Sequence, residues 1–143
     1  MPEIVVIKEE KIIESLKNST RQYLVGNLKL PQILRNYNNK DLEIGITSYS
    51  EPATENPHKH SNAIEYQYML DGETIYLNVE TGEELYFKKG DFFILETGIA
   101  YAQKSKENTR ILFIKCPGGN DKINIELTPE IKNWLAKPFD KKF

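Results

Sequence analysis

Short segments rich in β-branched and aromatic residues, each closed by turn residues, occupy the middle of the chain. Leu42, Ile44 and Ile46 alternate with polar or small residues, which is typical of a strand. Pro52 and Pro57 are expected to bound a loop. Further strands are predicted at 63–70, 74–79, 84–87, 92–95 and 110–116, each ending at or near a glycine turn. Because no long helical segment follows any of them, we predict an all-β sandwich or barrel with antiparallel neighbours rather than a doubly wound α/β fold.

The two ends of the chain carry helical patterns. Apolar residues at 12, 13 and 16 predict a short amphipathic helix within 9–18. Near the other end, Thr128 suits an N-cap and Pro129 suits the first helical position. Ile131, Trp134 and Leu135 then form an apolar stripe. We expect this second helix to pack across one face of the sandwich or against a partner chain.

Charge and composition exclude several classes of function. The 143 residues suit one domain, and a net charge of −2 with a pI near 5.8 lacks the basic footprint of a nucleic-acid-binding protein. No apolar run approaches the length of a membrane span, and the first ten residues do not resemble a signal peptide. Cys116 is the single cysteine, so it forms no internal disulfide. We therefore expect a cytoplasmic protein that binds neither nucleic acid nor membrane.

The two histidines of the chain, His58 and His60, are separated by one residue. On an extended strand, the side chains of residues two apart lie on the same face, so both imidazoles would point to the same side of the strand. Glu65 follows at the start of the next apolar segment. Two imidazoles and a carboxylate form a known ligand set for divalent metals with open coordination positions. A solvent-exposed histidine pair is the simpler alternative.

The order His58-x-His60, four residues, Glu65, six residues, Gly72 resembles the first motif of the cupin superfamily. Gly90 and Gly98 fall on the two glycines of the second cupin motif. The resemblance implies a double-stranded β-helix, the jelly-roll barrel of that superfamily. It covers roughly residues 42–116 of a single domain 1–143, with an N-terminal extension 1–41 and a helical tail 117–143. It also implies a homodimer, and the apolar run at 4–7 is a candidate for pairing across a sheet edge.

The sequence departs from both cupin motifs. Pro52 stands where the first motif opens with glycine. In the second motif, Glu96 replaces the proline, Tyr101 the metal-binding histidine and Ser105 the asparagine. The fourth metal ligand is therefore lost, moved or replaced by a Tyr101 phenolate, by Gln103, by water or by substrate. The resemblance implies a divalent metal (Fe, Mn, Ni or Zn) on His58, His60 and Glu65, and a metal-free barrel stays open.

Further residues are predicted to face the barrel interior. Gln67 shares a strand face with Glu65, and Gln103 shares one with Tyr101, so both glutamines are candidates for substrate binding. Tyr101 and Glu96 are candidates for proton transfer. Lys115 shares a face with Ile111 and Phe113, and it is an anion anchor if that face points inward or an edge charge if it points outward.

Members of the superfamily include isomerases, epimerases, dioxygenases, decarboxylases and lyases. By that resemblance we expect a small-molecule-binding cupin with a metal site in the barrel, acting as a sugar or hydroxy-/keto-acid isomerase or epimerase. One alternative is a non-catalytic barrel that binds a metabolite or carbohydrate and has lost full metal ligation. A metal-dependent dioxygenase is a further alternative.

Overall fold

The computed structural model describes residues 1–139, which form two five-stranded antiparallel sheets and two short helices. The helices are α1 (Glu9–Ser15) and α2 (Pro129–Ala136). The strands are β1 (Arg21–Val25), β2 (Glu43–Tyr49), β3 (Ala53–His60), β4 (Ile64–Asp71), β5 (Glu73–Asn78), β6 (Glu84–Lys88), β7 (Phe92–Leu95), β8 (Tyr101–Ser105), β9 (Thr109–Cys116) and β10 (Lys122–Asn124). The first sheet has the order β1-β2-β9-β4-β7, and the second has the order β10-β3-β8-β5-β6. The predicted all-β jelly-roll is confirmed.

Alternation along the central strands decides which side chains enter the barrel. In β4, Glu65, Gln67 and Met69 are buried, whereas Tyr68 between them is exposed. In β9, the inward positions include Phe113 and Lys115. The inner core groups buried apolar and aromatic side chains from both sheets, namely Met69, Tyr76, Phe93, Tyr101 and Ile111. Polar groups and the apolar core thus share one interior, which places the candidate site inside the barrel.

Gly72 has a structural reason to close the first motif. It follows β4 with a φ of +80°, a backbone conformation that side chains rarely adopt. A Cβ atom at this position would lie 2.5 Å from the Cα atom of Thr109. Only glycine therefore lets β4 turn into β5 so close to β9.

Two regions differ from the sequence prediction. The segment between Pro52 and Pro57, expected as a loop, belongs to strand β3 together with the expected extended segment of His58 and His60. The register against β8 shifts between Glu55 and His58, and this irregularity accommodates Pro57. The sheets also extend beyond 42–116, since β1 pairs with β2 and β10 pairs with β3. The apolar run at 4–7 lies in no strand of the structure.

Helix α2 packs on the outer face of the second sheet, as one of the two predicted arrangements. Its N-cap, Thr128, accepts a hydrogen bond from the backbone N–H of Ile131. Ile131 is buried against Leu77 of β5 and Ala102 of β8. No helix among residues 1–139 is long and apolar enough to cross a membrane.

Candidate functional site

A cavity of about 90 Å³ opens between the two sheets and is lined mainly by polar and charged side chains. His58, His60 and Glu65 line it together, so the structure brings the three predicted metal ligands to one place. Gln67, Tyr101 and Gln103 line it as well. Glu96 does not belong to this lining and is exposed, because it lies after the end of β7.

Each histidine is fixed through Nδ1 and turns its Nε2 atom to the interior. His58 Nδ1 is 2.9 Å from the carbonyl oxygen of Asn56, and His60 Nδ1 is 2.7 Å from Asp121 Oδ1. These acceptors assign a proton to Nδ1 in both rings, which leaves Nε2 as the ring nitrogen that faces the interior. His60 Nε2 lies 3.9 Å from Glu65 Oε1. Imidazoles that ligate metals are usually held by such outer hydrogen bonds.

The hydroxyl of Tyr101 lies between His58 and Glu65. It is 3.0 Å from His58 Nε2 and 3.2 Å from Glu65 Oε2. A phenol has one proton, so it can donate to only one of these two acceptors at a time. The other acceptor then faces an oxygen lone pair. One additional proton or a cation would relieve this excess of lone pairs.

Burial controls the protonation of this group. Burial lowers the pKa of His58, outweighing the hydrogen bond to Asn56 that favours the charged ring. Burial, reinforced by the charge of Glu65, raises the pKa of Tyr101 well above its ordinary value. Without a metal, Tyr101 is therefore a neutral phenol and His58 is a neutral imidazole.

The donor set fits a divalent metal by its chemistry. Two Nε2 lone pairs and one carboxylate face a common space, and outer hydrogen bonds orient both rings. In their present positions, however, no three His, Cys, Asp or Glu side chains within residues 1–139 are arranged to hold an ion. The Tyr101 hydroxyl hydrogen-bonds with both His58 and Glu65. These two residues would have to exchange that contact for a bond to the metal.

Asp121 is a site residue that the sequence analysis missed. Besides His60, it accepts hydrogen bonds from the backbone N–H groups of Asn62 and Ala63 and lies 3.1 Å from Lys115 Nζ. Although its partial burial acts in the opposite direction, these contacts hold the pKa of Asp121 below its usual range. Only its position after a glycine turn was visible in the sequence, whereas its partner His60 is 61 residues away.

Both glutamines and Lys115 face the interior. Gln67 donates to Glu65 at 3.5 Å and accepts from the Tyr76 hydroxyl at 3.3 Å. Gln103 donates to Thr74 and Ser105, so its amide N–H groups are already satisfied by the protein. Lys115 is buried and points inward, so it is not an edge charge, and its Nζ lies 3.1 Å from Asp121 Oδ1.

Arg21 and Glu55 also line the cavity and were not predicted as site residues. Arg21 begins β1, a strand that the sequence pattern did not reveal. Glu55 lies in the segment predicted as a loop, where a regular alternation could not be assumed. Both positions depend on strand pairings that only the folded chain shows.

A family model for cupins matches residues 36–143. This chain belongs to the cupin family. No protein of curated function matches its sequence. The predicted membership is thereby confirmed over most of the chain.

Solved cupin-like structures share the barrel at low identity. One is an uncharacterized conserved protein with a double-stranded β-helix domain from Klebsiella pneumoniae (TM-score 0.61, 16% identity, covering 87% of this chain and 99% of that one). Another is KdgF from Halomonas sp. (TM-score 0.54, 17% identity, covering 71% and 80%). A third is Pac13, a nucleoside dehydratase (TM-score 0.52, 11% identity, covering 61% and 70%), whose Streptomyces protein has also been solved with uridine. These likenesses establish the fold.

Proposed function

We propose that this cupin binds a small polar metabolite inside its barrel and transfers protons on it, as an isomerase or epimerase of a sugar or a hydroxy- or keto-acid. One observation carries the proposal: two imidazoles with fixed Nδ1 atoms turn Nε2 toward a buried carboxylate and a buried phenol. Such groups exchange protons with a ligand at neutral pH. The polar cavity lining supports a ligand rich in hydroxyl or carboxyl groups.

The roles of the side chains follow from their protonation states. When no metal occupies its Nε2 lone pair, neutral His58 accepts a proton there. Tyr101 stays protonated and donates a hydrogen bond to a ligand oxygen on which negative charge develops. Gln67 contacts both Glu65 and Tyr76, so its amide keeps the carboxylate oriented and presents a polar edge to the ligand. The exposed position of Glu96 does not support a role for it in proton transfer.

His58, His60 and Glu65 are the residues that we propose would hold a divalent metal. Such an ion would supply Lewis acidity toward the ligand's oxygen atoms. Asp121 would keep the His60 ring in its metal-binding orientation through Nδ1. Tyr101 would keep its proton-donating role beside the metal.

A deuterium-exchange experiment tests the proposed reaction. Protein purified without a histidine tag is first analysed for metal and then incubated in D₂O with aldoses, ketoses, hydroxy acids and keto acids, with and without added Mn²⁺, Fe²⁺, Ni²⁺ or Zn²⁺. We expect about one metal equivalent per chain, and deuterium in a carbon-bound position of one ligand by NMR. The Tyr101→Phe variant should slow this exchange by a factor of about 10² to 10⁴, the usual contribution of a general acid or base.

The controls separate the metal from the acid–base groups. Replacing His58 and His60 together with alanine should remove the bound metal, and a double variant that keeps its ion would overturn the ligand assignment. The variant Glu96→Gln should exchange at the wild-type rate, since its side chain lies outside the cavity lining. Absence of exchange with every ligand and every metal would show that the proposed reaction is wrong.

A non-catalytic binding module is the second candidate. The observation that favours it is Tyr101 itself, which stands at the position of a cupin metal-binding histidine and hydrogen-bonds with two other predicted site residues. This candidate predicts ligand binding without bound metal and without exchange in the same experiment.

A further inference from the structure

Arg21 is a positioned cation at the wall of the cavity. Its Nε donates to Thr47 Oγ1 at 3.1 Å, and its guanidinium carbon lies 5.2 Å from the centre of the Phe113 ring. These contacts come from two different strands, β2 and β9, and restrict the side chain on two sides. Among residues 1–139, no carboxylate lies within 4.0 Å of the guanidinium, so its charge has no close ion-pair partner.

Glu55 is the matching acceptor from the opposite sheet. It pairs with Gln103 across β3 and β8 and lines the same cavity as Arg21. Its carboxylate forms no hydrogen bond or ion pair with any residue in the part of the chain that the structure describes. The geometric link between Glu55 and Arg21 is that both side chains line this one cavity.

Lys115 does not compete for the role of Arg21. It is buried, donates to the carbonyl oxygen of Gly119 and lies 3.1 Å from Asp121 and 4.0 Å from Glu43. Two carboxylates therefore already balance its charge. Two further cations of the described chain line the cavity, Arg21 and Lys122, and both are exposed to solvent. Of the two, only Arg21 carries a planar fork that matches a carboxylate in two parallel hydrogen bonds.

We infer that Arg21 and Glu55 form a recognition subsite for a hydroxycarboxylate, in which Arg21 binds the ligand's carboxylate and Glu55 accepts a hydrogen bond from a neighbouring hydroxyl. A carboxylate alone would be repelled by Glu55, and a neutral polyol would leave the Arg21 charge unmatched. A ligand that carries both groups satisfies both side chains. The inference rests on the proposed function only in using the same cavity.

The sheet register sets the orientation of such a ligand. The Arg21 guanidinium lies over Phe113, and Lys115, two residues further along β9, pairs with Glu65. Two residues along a strand correspond to about 6.6 Å. The carboxylate end would therefore lie at Arg21, and the carbons further along the chain would reach His58, Tyr101 and Glu65.

Binding measurements with four defined probes test the subsite. Isothermal titration calorimetry and amide NMR titrations would compare gluconate, hexanoate, sorbitol and inorganic phosphate. We expect gluconate to bind most tightly to the wild-type protein. Arg21→Gln should weaken gluconate binding by about tenfold to a hundredfold, the range for a lost charged hydrogen bond, without weakening sorbitol. Arg21→Lys should recover only part of the loss, because lysine lacks the planar fork.

Glu55→Gln gives a readout that a merely structural role would not produce. This variant should bind gluconate more weakly and hexanoate more tightly, because the negative charge of Glu55 no longer repels the carboxylate of hexanoate. Arg35→Gln is the matched control, because Arg35 is exposed and lies outside the cavity lining. Amide NMR spectra of each variant would establish that it is folded.

Several results would overturn the subsite. Wild-type protein that does not bind gluconate, or that binds sorbitol equally well, contradicts it, as does equal behaviour of the Arg21→Gln and Arg35→Gln variants. Tighter, Arg21-dependent binding of phosphate would replace the hydroxycarboxylate with a phosphate ligand. Arg21-dependent gluconate binding without deuterium exchange on any ligand would keep the subsite and reject the proposed reaction. Deuterium exchange on a ligand, combined with gluconate binding that is the same in the Arg21→Gln variant, would keep the proposed reaction and reject the subsite.

Discussion

At the scale of single residues, Tyr101 gives the barrel a phenol where the second cupin motif has a histidine. A histidine at this position would offer a third imidazole, whereas the phenol offers a proton to two acceptors that both need one. Because burial and the charge of Glu65 keep Tyr101 protonated, the side chain acts as a donor in the metal-free protein. Under the proposed function, we therefore expect Tyr101 to contribute acid–base chemistry where a histidine would contribute a metal ligand.

The titration of Tyr49 is sensitive to the charge of Glu55. Burial, followed by the charge of Glu55, raises the pKa of Tyr49 to about 12. We predict that absorbance at alkaline pH, compared with the Tyr49→Phe variant, reports this titration, and that Glu55→Gln lowers the pKa while burial still keeps it above its ordinary value. Glu51→Gln is the control, because Glu51 is exposed and outside the cavity lining.

The raised pKa of Tyr49 also makes the stability of the protein depend on pH. Between about pH 10 and 12 the unfolded chain releases the Tyr49 proton and the native protein keeps it. The free energy of unfolding contributed by this group is therefore fully present below pH 10 and falls as the pH rises toward 12. If Tyr49 titrates at its ordinary pKa, or if Glu55→Gln leaves the titration unchanged, Glu55 does not face the cavity as described.

At the scale of elements, Lys104 connects β8 to the carboxyl end of α2. Its buried Nζ donates to the carbonyl oxygens of Trp134 at 2.7 Å and Lys137 at 3.4 Å, and it lies 4.3 Å from the centre of the Trp134 ring. These carbonyls end a helix and have no partner within it, so a cation stabilises them. Lys104 thereby complements Thr128 at the other end of the helix.

We predict that Lys104→Met partly releases α2 from the barrel. Methionine retains the apolar contact but not the hydrogen bonds, whose loss should cost about 1–3 kcal/mol. Trp134 is the single tryptophan, so its fluorescence reports this region alone. Its emission should shift to the red and become more accessible to acrylamide. Lys132→Met, on an exposed position of the same helix, should change neither, and equal spectra for both variants would contradict the role of Lys104.

Regular alternation explains which elements the sequence could predict. The inward set of β4, with Glu65, Gln67 and Met69, follows directly from a period of two, and the N-cap of α2 follows from Thr128 and Pro129. Strand β10 has only three residues, and β3 contains Pro57 with a register shift, so neither has a local pattern. Asp121 reaches His60 through the pairing of β10 with β3, and Arg21 reaches the cavity through the pairing of β1 with β2. These contacts depend on long-range pairing, which a single sequence does not display.

At the scale of the whole molecule, the N-terminal segment presents an apolar surface that the barrel does not cover. Val5 and Ile7 line a groove with Leu24 and Tyr37, among others. Ile4 and Val6, the alternate residues, are 92% and 60% exposed. Val5, although it lines the groove, is itself 52% exposed. A segment with this much exposed apolar surface is suited to contact with a second copy of the chain, as the sequence analysis predicts for a homodimer.

We predict that light scattering coupled to size-exclusion chromatography finds a dimer at micromolar concentration, and that replacing Ile4 and Val6 together with serine shifts it toward the monomer. The fold of each protomer should stay intact, because these side chains contact solvent in the single chain, whereas the loss of the dimer contact should lower the melting temperature. Leu30 and Ile33 are 81% and 70% exposed on a different segment, so their double serine variant controls for the loss of surface hydrophobicity. A wild-type protein that remains monomeric, or a dimer that dissociates equally in both double variants, would show that the N-terminal segment does not form the interface.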